Sequence, residues 1–209
     1  MTRSGGLTSR KKHDTYVRRA PFRDAKLIVI ATEGAVTEPR YFTLFTERDG
    51  TFFNPRVRRI DVLETLDGGS APERVLDRLR VYKQKYDIST GDQFWLVVDV
   101  DRWQCQGVLD PVIAAAFQDN IQLAISNPRF EVWLLCHFVD SLTEITDLDS
   151  AIKSYLGNVK TKFEISRYSN RVRHAVEVAS KSVKGTDPNI PQPLGTNVFK
   201  LVQEIIPAQ

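Results

Sequence analysis

Acidic side chains follow three apolar segments of this 209-residue sequence, and their spacing suits phosphoryl chemistry. Glu33 comes directly after the run KLIVIAT, and Glu38 lies five residues further on. Asp99 and Asp101 follow the run QFWLVV, and Glu131 lies shortly after the run IQLAI. Carboxylates gathered in one place repel each other by up to about 4 kcal/mol per pair at roughly 4 Å and an effective dielectric constant of about 20. Raised pKa values, arginine partners or a divalent cation would relieve that repulsion.

The donor types favour magnesium or manganese over zinc. The three histidines are far apart in the sequence, and no spacing links them to Cys105 or Cys136, which excludes a His/Cys zinc motif. Oxygen donors suit Mg²⁺ or Mn²⁺, and Mg²⁺ is usually held by one or two carboxylates together with substrate phosphates. We therefore expect a phosphoryl-containing substrate. If extended backbone continues through Asp101, the Asp99 and Asp101 side chains point to the same side.

Each acid also has a structural explanation. An Asp-x-Asp pair is common in turns, and Glu38 could interact with the N-terminal dipole of a helix. With Asn127 as N-cap and Pro128 as the first helical residue, Glu131 falls at the fourth position, which does not fit a capping box. Glu33 has the weakest structural explanation, because it follows a buried strand directly.

The apolar patterns predict a three-layer α/β domain with a mostly parallel sheet, followed by a mainly helical C-terminal part. Thr37 is a candidate N-cap for the first helix. The predicted strands are residues 26–32, 56–63, 93–98 and 121–125, and the main predicted helices begin near residues 37, 72, 110, 129 and 196. Because ligands of open α/β sheets bind beyond the carboxyl ends of the strands, this arrangement brings the acids to one edge.

Composition excludes several classes of protein. A hydrophobic content of 42% with 26% charged residues is typical of a globular domain and excludes a disordered or fibrous chain. No apolar run reaches the roughly 20 residues that span a bilayer, and the polar N-terminus does not resemble a signal peptide. With two cysteines there is no disulfide framework, so we expect a reduced, cytoplasmic compartment and no membrane association.

Positive charge is concentrated at the N-terminus. Residues 1–26 contain eight Lys or Arg residues and two Asp residues, whereas the formal net charge of the whole chain is only +3. Such a segment is either a solvated terminus or an arm that contacts nucleic-acid phosphates. Charge alone does not distinguish these two interpretations.

Four ordered motifs resemble those of the RloB family, whose prokaryotic members are often encoded beside restriction-modification and other phage-defence loci. The motifs are IVIATEGAVTEPRYF, FWLVVDVD, AISNPRFEVWLLCHF and PLGTNVFKLVQEI, and the resemblance covers about residues 8–209. The family looks like a divergent relative of the Toprim domain of topoisomerases, primases and OLD-type nucleases. The resemblance implies a basic arm at residues 1–25, a Toprim-like core at 26–139 and a helical extension of the same domain at 140–209. Ala31-Thr32 and Arg129 depart from the usual family residues, but neither departure affects an acid.

The resemblance also implies a site and an activity. Glu33 matches the Toprim glutamate, and Asp99 and Asp101 match its metal-binding Asp-x-Asp. Glu38 and Glu131 match further family acids, which would bind a second cation or position water. The expected function is a Mg²⁺- or Mn²⁺-dependent nuclease acting on DNA or RNA, including tRNA, in anti-phage defence, with a possible partner protein from the same defence system. Phosphate contacts are expected from Arg10, Lys11, Lys12, Arg18, Arg19 and Lys160.

Two other interpretations remain open. The chain could be a nucleic-acid-binding or partner-binding module whose acids are structural, in which case no metal-dependent cleavage occurs. It could also be a metal-dependent enzyme that acts on free nucleotides or signalling oligonucleotides rather than on polymers.

Overall fold

A five-stranded sheet organises the chain in the computed structural model, which describes residues 25–48, 50–65, 71–182 and 189–207. The strands are β1 (Lys26–Thr32), β2 (Arg58–Leu63), β3 (Gln93–Asp99), β4 (Gln122–Asn127) and β5 (Gly195–Thr196). They lie in the order β2-β1-β3-β4-β5. β1 to β4 are mutually parallel, whereas β5 pairs antiparallel with β4. The α/β fold class with a mostly parallel sheet is therefore confirmed.

Helices connect the strands and form most of the C-terminal part, as predicted. They are α1 (Thr37–Thr43), α2 (Pro72–Lys85), α3 (Asp101–Cys105), α4 (Leu109–Gln118), α5 (Glu131–Leu135), α6 (Leu148–Ala151), α7 (Ser166–Ser169), α8 (Val172–Ser182) and α9 (Val198–Ile205). A 3₁₀ helix spans Leu142–Glu144, and a π-helix spans Ile152–Leu156. Among the described residues, no helix is long and apolar enough to cross a membrane.

The helices pack on both faces of the sheet and enclose two apolar clusters. Ile28 and Ile30 of β1 point to a cluster that includes residues of α1, α5, α8 and α9. Val29 and Ala31, which alternate with them, point to a cluster that includes residues of α2, α3 and α4. β1 is buried on both faces because strands of a parallel sheet are covered by helices on either side. The first cluster contains residues from before and after position 140. The predicted boundary between a core at residues 26–139 and a helical extension at 140–209 stays a prediction.

Four local predictions were wrong. Thr37 is the first residue of α1 and not its cap, since Val36 occupies the N-cap position. β2 begins at Arg58, because the Asn54 carbonyl accepts hydrogen bonds from the Val57 and Arg58 amides and forms a turn there. Thr196 belongs to β5, where it pairs with Ser126, and the last helix begins at Val198.

The fourth wrong prediction concerns the helix that carries Glu131. β4 continues to Asn127, which pairs with Gly195 of β5. Because Asn127 is still in the strand, the helix begins later, and Glu131 is the first residue of α5 with Phe130 as its N-cap. Glu131 therefore lies at the positive end of this helix, one turn earlier than the sequence indicated.

Candidate active site

A cleft of about 440 Å³ lies at the carboxyl ends of β1 and β3. Residues 33–38 and 129–131 line it together with Asp99, Asp101 and Lys160. All five predicted acids and one predicted cation, Lys160, are therefore brought to one place. The other predicted cations, Arg10, Lys11, Lys12, Arg18 and Arg19, lie outside the described residues.

Glu33 is held by two N–H donors from β3 and α3. Its backbone amide donates to the Val97 carbonyl over 2.9 Å, so the residue continues the pairing of β1 with β3. The Asp99 amide donates to Glu33 Oε2 over 3.1 Å, and Trp103 Nε1 donates to Glu33 Oε1 over 2.7 Å. These bonds orient the carboxylate between the ends of β1 and β3.

Glu38 folds back over the turn that precedes α1. The Gly34 amide donates to Glu38 Oε1 over 3.0 Å, and the Glu38 side chain is only 8% exposed. A Cβ atom at residue 34 would overlap the Glu38 carboxylate, so only glycine leaves room for this contact. Gly34 thus leaves space for the acidic side chain of Glu38 beside its amide.

Asp99 and Asp101 reach the cleft from different backbone conformations. Asp99 is the last residue of β3, whereas Asp101 is the first residue of α3. The condition that extended backbone continues through Asp101 is not met, because the Asp101 amide donates to the Pro128 carbonyl over 3.0 Å and the Trp103 amide donates to the Val100 carbonyl over 3.0 Å. The chain therefore turns at Val100, and Asp101 is exposed while Asp99 is partly buried.

The part of the cleft lined by Arg129, Glu131 and Lys160 carries both positive and negative charges. Glu131 is 17% exposed, and its Oε2 lies 3.9 Å from Arg129 Nε. Arg129 also pairs with Asp149 of α6. Lys160 is exposed, and its carbonyl accepts a hydrogen bond from the exposed Arg40 guanidinium over 3.3 Å. Cationic side chains thus lie beside the acids, where an anionic ligand could contact them.

Burial and repulsion raise the pKa values of two acids. Burial raises the pKa of Glu38 from its usual value near 4.5 to about 7, and the Glu131 and Glu33 carboxylates add to the rise. Burial likewise raises the pKa of Asp99 well above its usual value, with further contributions from Glu38, Glu33 and Glu131. The Phe130 amide partly offsets this rise by donating a hydrogen bond to Asp99. The acids of the cleft therefore oppose one another's ionisation.

The raised pKa of Glu38 predicts how the stability of the cation-free protein depends on pH. In the unfolded chain Glu38 loses its proton near pH 4.5, whereas in the folded chain it does so near pH 7. The folded state therefore binds more protons in this interval, and its stability falls by about 3 kcal/mol at this residue as the pH rises from about 4.5 to 7. Urea unfolding in EDTA at several pH values measures this slope. Glu38→Gln, which keeps the acceptor for the Gly34 amide, should flatten the slope; an equal slope in both proteins would contradict the prediction.

Sequence reasoning missed three side chains that shape the cleft. Trp103 holds Glu33, and its indole N–H required a polar partner that the sequence could not identify. Arg78 of α2 donates to the Thr32 carbonyl over 2.5 Å and to Thr65 Oγ1 over 2.8 Å, which fixes the end of β1. Arg129 is the third, and it was noted only as a departure from the family. No sequence signal indicated Arg78, because it lies within α2 and its contact with Thr32 joins residues 46 positions apart.

His137 and Cys136 are buried and do not line the cleft. His137 is fully buried, and its Nε2 lies 3.2 Å from the Tyr41 hydroxyl. Burial lowers its pKa to about 3, so it is a neutral core residue. Cys136 is also buried, and burial raises the pKa of its thiol. Both residues are therefore part of the core.

The acids of the cleft are chemically suited to a hard divalent cation, but their side chains are not already arranged around one. All the acidic donors are carboxylate oxygens, which suit Mg²⁺ or Mn²⁺. Across the described ranges, however, no group of three or more His, Cys, Asp or Glu side chains is positioned to hold a metal ion. The side chains would have to move closer together to share a cation, and the expectation of a metal at Glu33, Asp99 and Asp101 stays a prediction.

Comparison with known proteins identifies a family. The family model described as RloB-like protein matches residues 28–205, which includes every acid of the cleft and all five strands except the first two residues of β1. No curated protein and no solved structure matches the chain significantly. Since the matched region covers most of the 209 residues, the chain belongs to the RloB-like protein family.

Proposed function

We propose that this protein is a Mg²⁺- or Mn²⁺-dependent nuclease that hydrolyses phosphodiester bonds in DNA or RNA, with tRNA among the candidate substrates. The observation that carries the proposal is the composition of the cleft. Carboxylates from the end of β1, the end of β3 and the start of α5 share it with Arg129 and Lys160. Acids suited to a divalent cation and cations suited to a phosphate therefore line the same space.

The proposed ligands of the cation are Asp99 and Asp101, with Glu33 as a further ligand or as an acid/base group. A bound Mg²⁺ or Mn²⁺ would supply Lewis-acid activation of the phosphate and orient it. The chain's own contribution is to hold the backbone of these residues at the ends of β1 and β3, from where their side chains would close on the cation. Trp103 and the Asp99 amide orient Glu33, and the pairing of β3 with β4 places Asp99 beside Ser126.

The remaining side chains of the cleft have complementary roles. Lys160 and Arg129 would contact non-bridging phosphate oxygens, and they neutralise part of the negative charge that the acids create. Glu38 and Glu131, whose charges both act on the Asp99 carboxyl group, would position the attacking water or hold a second cation. Gly34 maintains Glu38 in place through its amide.

The Toprim-like assignment and the defence role belong to this proposal. The first is supported by three acids at the carboxyl edge of a parallel sheet, where Glu33 follows β1, Asp99 ends β3 and Asp101 begins α3. The second is supported by membership of the RloB-like family, together with the resemblance to proteins encoded beside phage-defence loci. A partner protein from such a locus is proposed on the same ground.

A cleavage assay with metal removal tests the proposed function. The purified chain is incubated with labelled duplex DNA, single-stranded DNA, RNA and tRNA in Mg²⁺, in Mn²⁺ or in EDTA. We expect cleavage of at least one polymer with either cation, no cleavage in EDTA, and a loss of about 100-fold or more in Asp101→Ala. Asp110→Ala is the matched control, because Asp110 is an exposed acid in the first turn of α4 and outside the cleft.

The assay also identifies the alternatives. Binding of nucleic acid without cleavage under any condition would favour a binding module with structural acids. Turnover of free nucleotides or short signalling oligonucleotides, with every polymer intact, would favour a small-nucleotide enzyme that uses the same acids. Cleavage that continues in EDTA would contradict the role of a cation.

A further inference from the structure

The outer edge of β2 presents backbone groups that could pair with another strand. β2 is the first strand in the sheet order and pairs only with β1 in the described part of the chain. The Val57 carbonyl accepts from the Lys26 amide over 3.0 Å, so the backbone groups of Val57 point toward β1. In a parallel pair the direction alternates along the strand, and the groups of Arg58, Ile60 and Val62 therefore point outward.

Most of these outward groups are available. The Arg58 amide already donates to the Asn54 carbonyl over 2.9 Å. Within the described residues, no hydrogen bond involves the outward amide and carbonyl of Ile60, those of Val62, or the Arg58 carbonyl. An exposed strand edge of this kind is a template for pairing with another chain unless it is blocked.

The charges on β2 are complementary to those of a second, antiparallel β2. Arg59 and Asp61 lie on the same face of the strand, where Arg59 Nε donates to Asp61 Oδ1 of the same copy over 3.0 Å, and the Arg59 side chain is 52% exposed. Contacts with a second copy would add to this ion pair. In an antiparallel pair centred on Ile60, the outward groups of Ile60 face those of the second Ile60, and Arg58 faces Val62. The same register places Arg59 of each copy directly opposite Asp61 of the other.

The neighbouring registers are unfavourable. Moving the second strand by two residues in one direction places Arg59 opposite Arg59, and moving it in the other direction places Asp61 opposite Asp61. Shifts by one residue remove the match between outward backbone groups. Like charges directly opposite each other destabilise an antiparallel pair, and opposite charges stabilise it. One register is therefore selected by both hydrogen bonding and charge.

An apolar groove continues from this edge onto α2. It has a volume of about 720 Å³, and its lining includes Val62, Leu63, Val81 and Tyr86. Val81 is 60% exposed and Tyr86 is 38% exposed. Pairing of two β2 strands would bring two such grooves together across the twofold axis, so that apolar surface is covered in addition to the strand edge.

We propose that two copies of this chain associate through antiparallel pairing of their β2 strands about a twofold axis at Ile60. The interface is isologous, since each copy uses the same surface, and it closes after two copies. The sheet continues from one copy to the other. Because the paired strands run in opposite directions, the two acidic clefts lie at opposite edges of the joined sheet, and the interface leaves both of them open.

Sedimentation velocity of the full-length chain over a range of concentrations tests this pairing. We expect wild type to reach twice the chain mass of 23.8 kDa. Arg59→Glu places a carboxylate opposite Asp61 of the second copy, so self-association should weaken at least tenfold. Asp61→Lys should weaken it similarly. An equimolar mixture of the two variants restores opposite charges at both positions, so heterodimers should form.

The controls separate this register from other causes. Lys181→Glu reverses an exposed charge on α8 and should associate like wild type. Both variants break the ion pair between Arg59 and Asp61 within one copy, and Asp61→Lys also loses the hydrogen bond that Asp61 accepts from the Tyr82 hydroxyl over 2.6 Å. Folding of both variants is therefore checked by circular dichroism. If Asp61→Lys does not fold, the comparison of folded Arg59→Glu with Lys181→Glu decides alone. A monomeric wild type, an Arg59→Glu variant that associates normally, or a mixture of folded variants that stays monomeric would overturn the proposal.

Discussion

Asp99→Asn is expected to abolish cation-dependent cleavage and to raise the melting temperature of the cation-free protein. Asp99 faces Glu38, Glu33 and Glu131, and burial and these carboxylates raise its pKa. An amide of the same shape removes the cost of ionising this position and can still accept the hydrogen bond from the Phe130 amide. A gain of about 1 kcal/mol corresponds to about 2–4 °C for a chain of this size. Loss of a proposed cation ligand should reduce cleavage by about 100-fold or more.

The stability gain should depend on pH in a defined direction. Above the unfolded pKa of Asp99 the unfolded wild type is ionised, and the folded state then carries the penalty of a buried acid. Below that pKa the penalty disappears, so the gain from Asp99→Asn should be larger at pH 8 than at pH 4. Thermal melts in EDTA at both pH values measure the difference. An equal gain at both values would contradict the assignment of the penalty to ionisation.

The same variant tests whether Asp99 binds the cation. A site with a Kd of about 0.1 mM stabilises the folded state by about 2.7 kcal/mol in about 10 mM Mg²⁺. Wild type should show that shift and Asp99→Asn should lose most of it, whereas Asp110→Asn should behave like wild type. Equal Mg²⁺ shifts in wild type and Asp99→Asn would exclude Asp99 as a ligand, even if cleavage were lost.

The sequence predicted the strands that carry the site more accurately than the contacts within it. β1 has the bounds that its apolar run predicted, and β3 extends one residue beyond its run. Both strands are continuous apolar segments, because helices cover both faces of the sheet. β5 was missed, since a strand of two residues has no recognisable alternation. Its position beside β4 depends on contacts between distant parts of the chain.

The convergence of the acids could be predicted because it follows from topology. Parallel strands bring their carboxyl ends to one edge, so the acids that follow β1 and β3 meet without any knowledge of side-chain packing. The partners of those acids could not be predicted. Trp103 is 70 residues from Glu33, and Asp149 is 20 residues from its partner Arg129, and neither pair has a characteristic spacing. The burial that raises the pKa of Glu38 likewise depends on tertiary packing around a glycine.

Deleting residues 1–24 is expected to weaken nucleic-acid binding and to flatten its salt dependence, while cleavage of bound substrate continues. This segment contains seven of the 29 Lys and Arg residues and lies outside the described residues. Each cation that neutralises a phosphate contributes about −0.9 to the slope of log K against log salt for duplex DNA, or about −0.7 for a single strand. If only three of these residues contact phosphate, the deletion should flatten the slope by about 2 to 3 units. All the proposed cation ligands lie later in the chain, so single-turnover cleavage at saturating protein should be preserved.

Two variants distinguish the arm from the cleft. A chain in which the seven arm cations are replaced by glutamine keeps its length and should reproduce the deletion, because the effect depends on charge. Lys160→Ala should change the salt slope by at most about one unit but should slow cleavage of bound substrate, since Lys160 lines the cleft beside the acids. Salt titrations and single-turnover cleavage on the same substrate measure both effects. An unchanged slope after deletion would show that the arm does not contact phosphate, and the cations of the cleft would then have to account for binding.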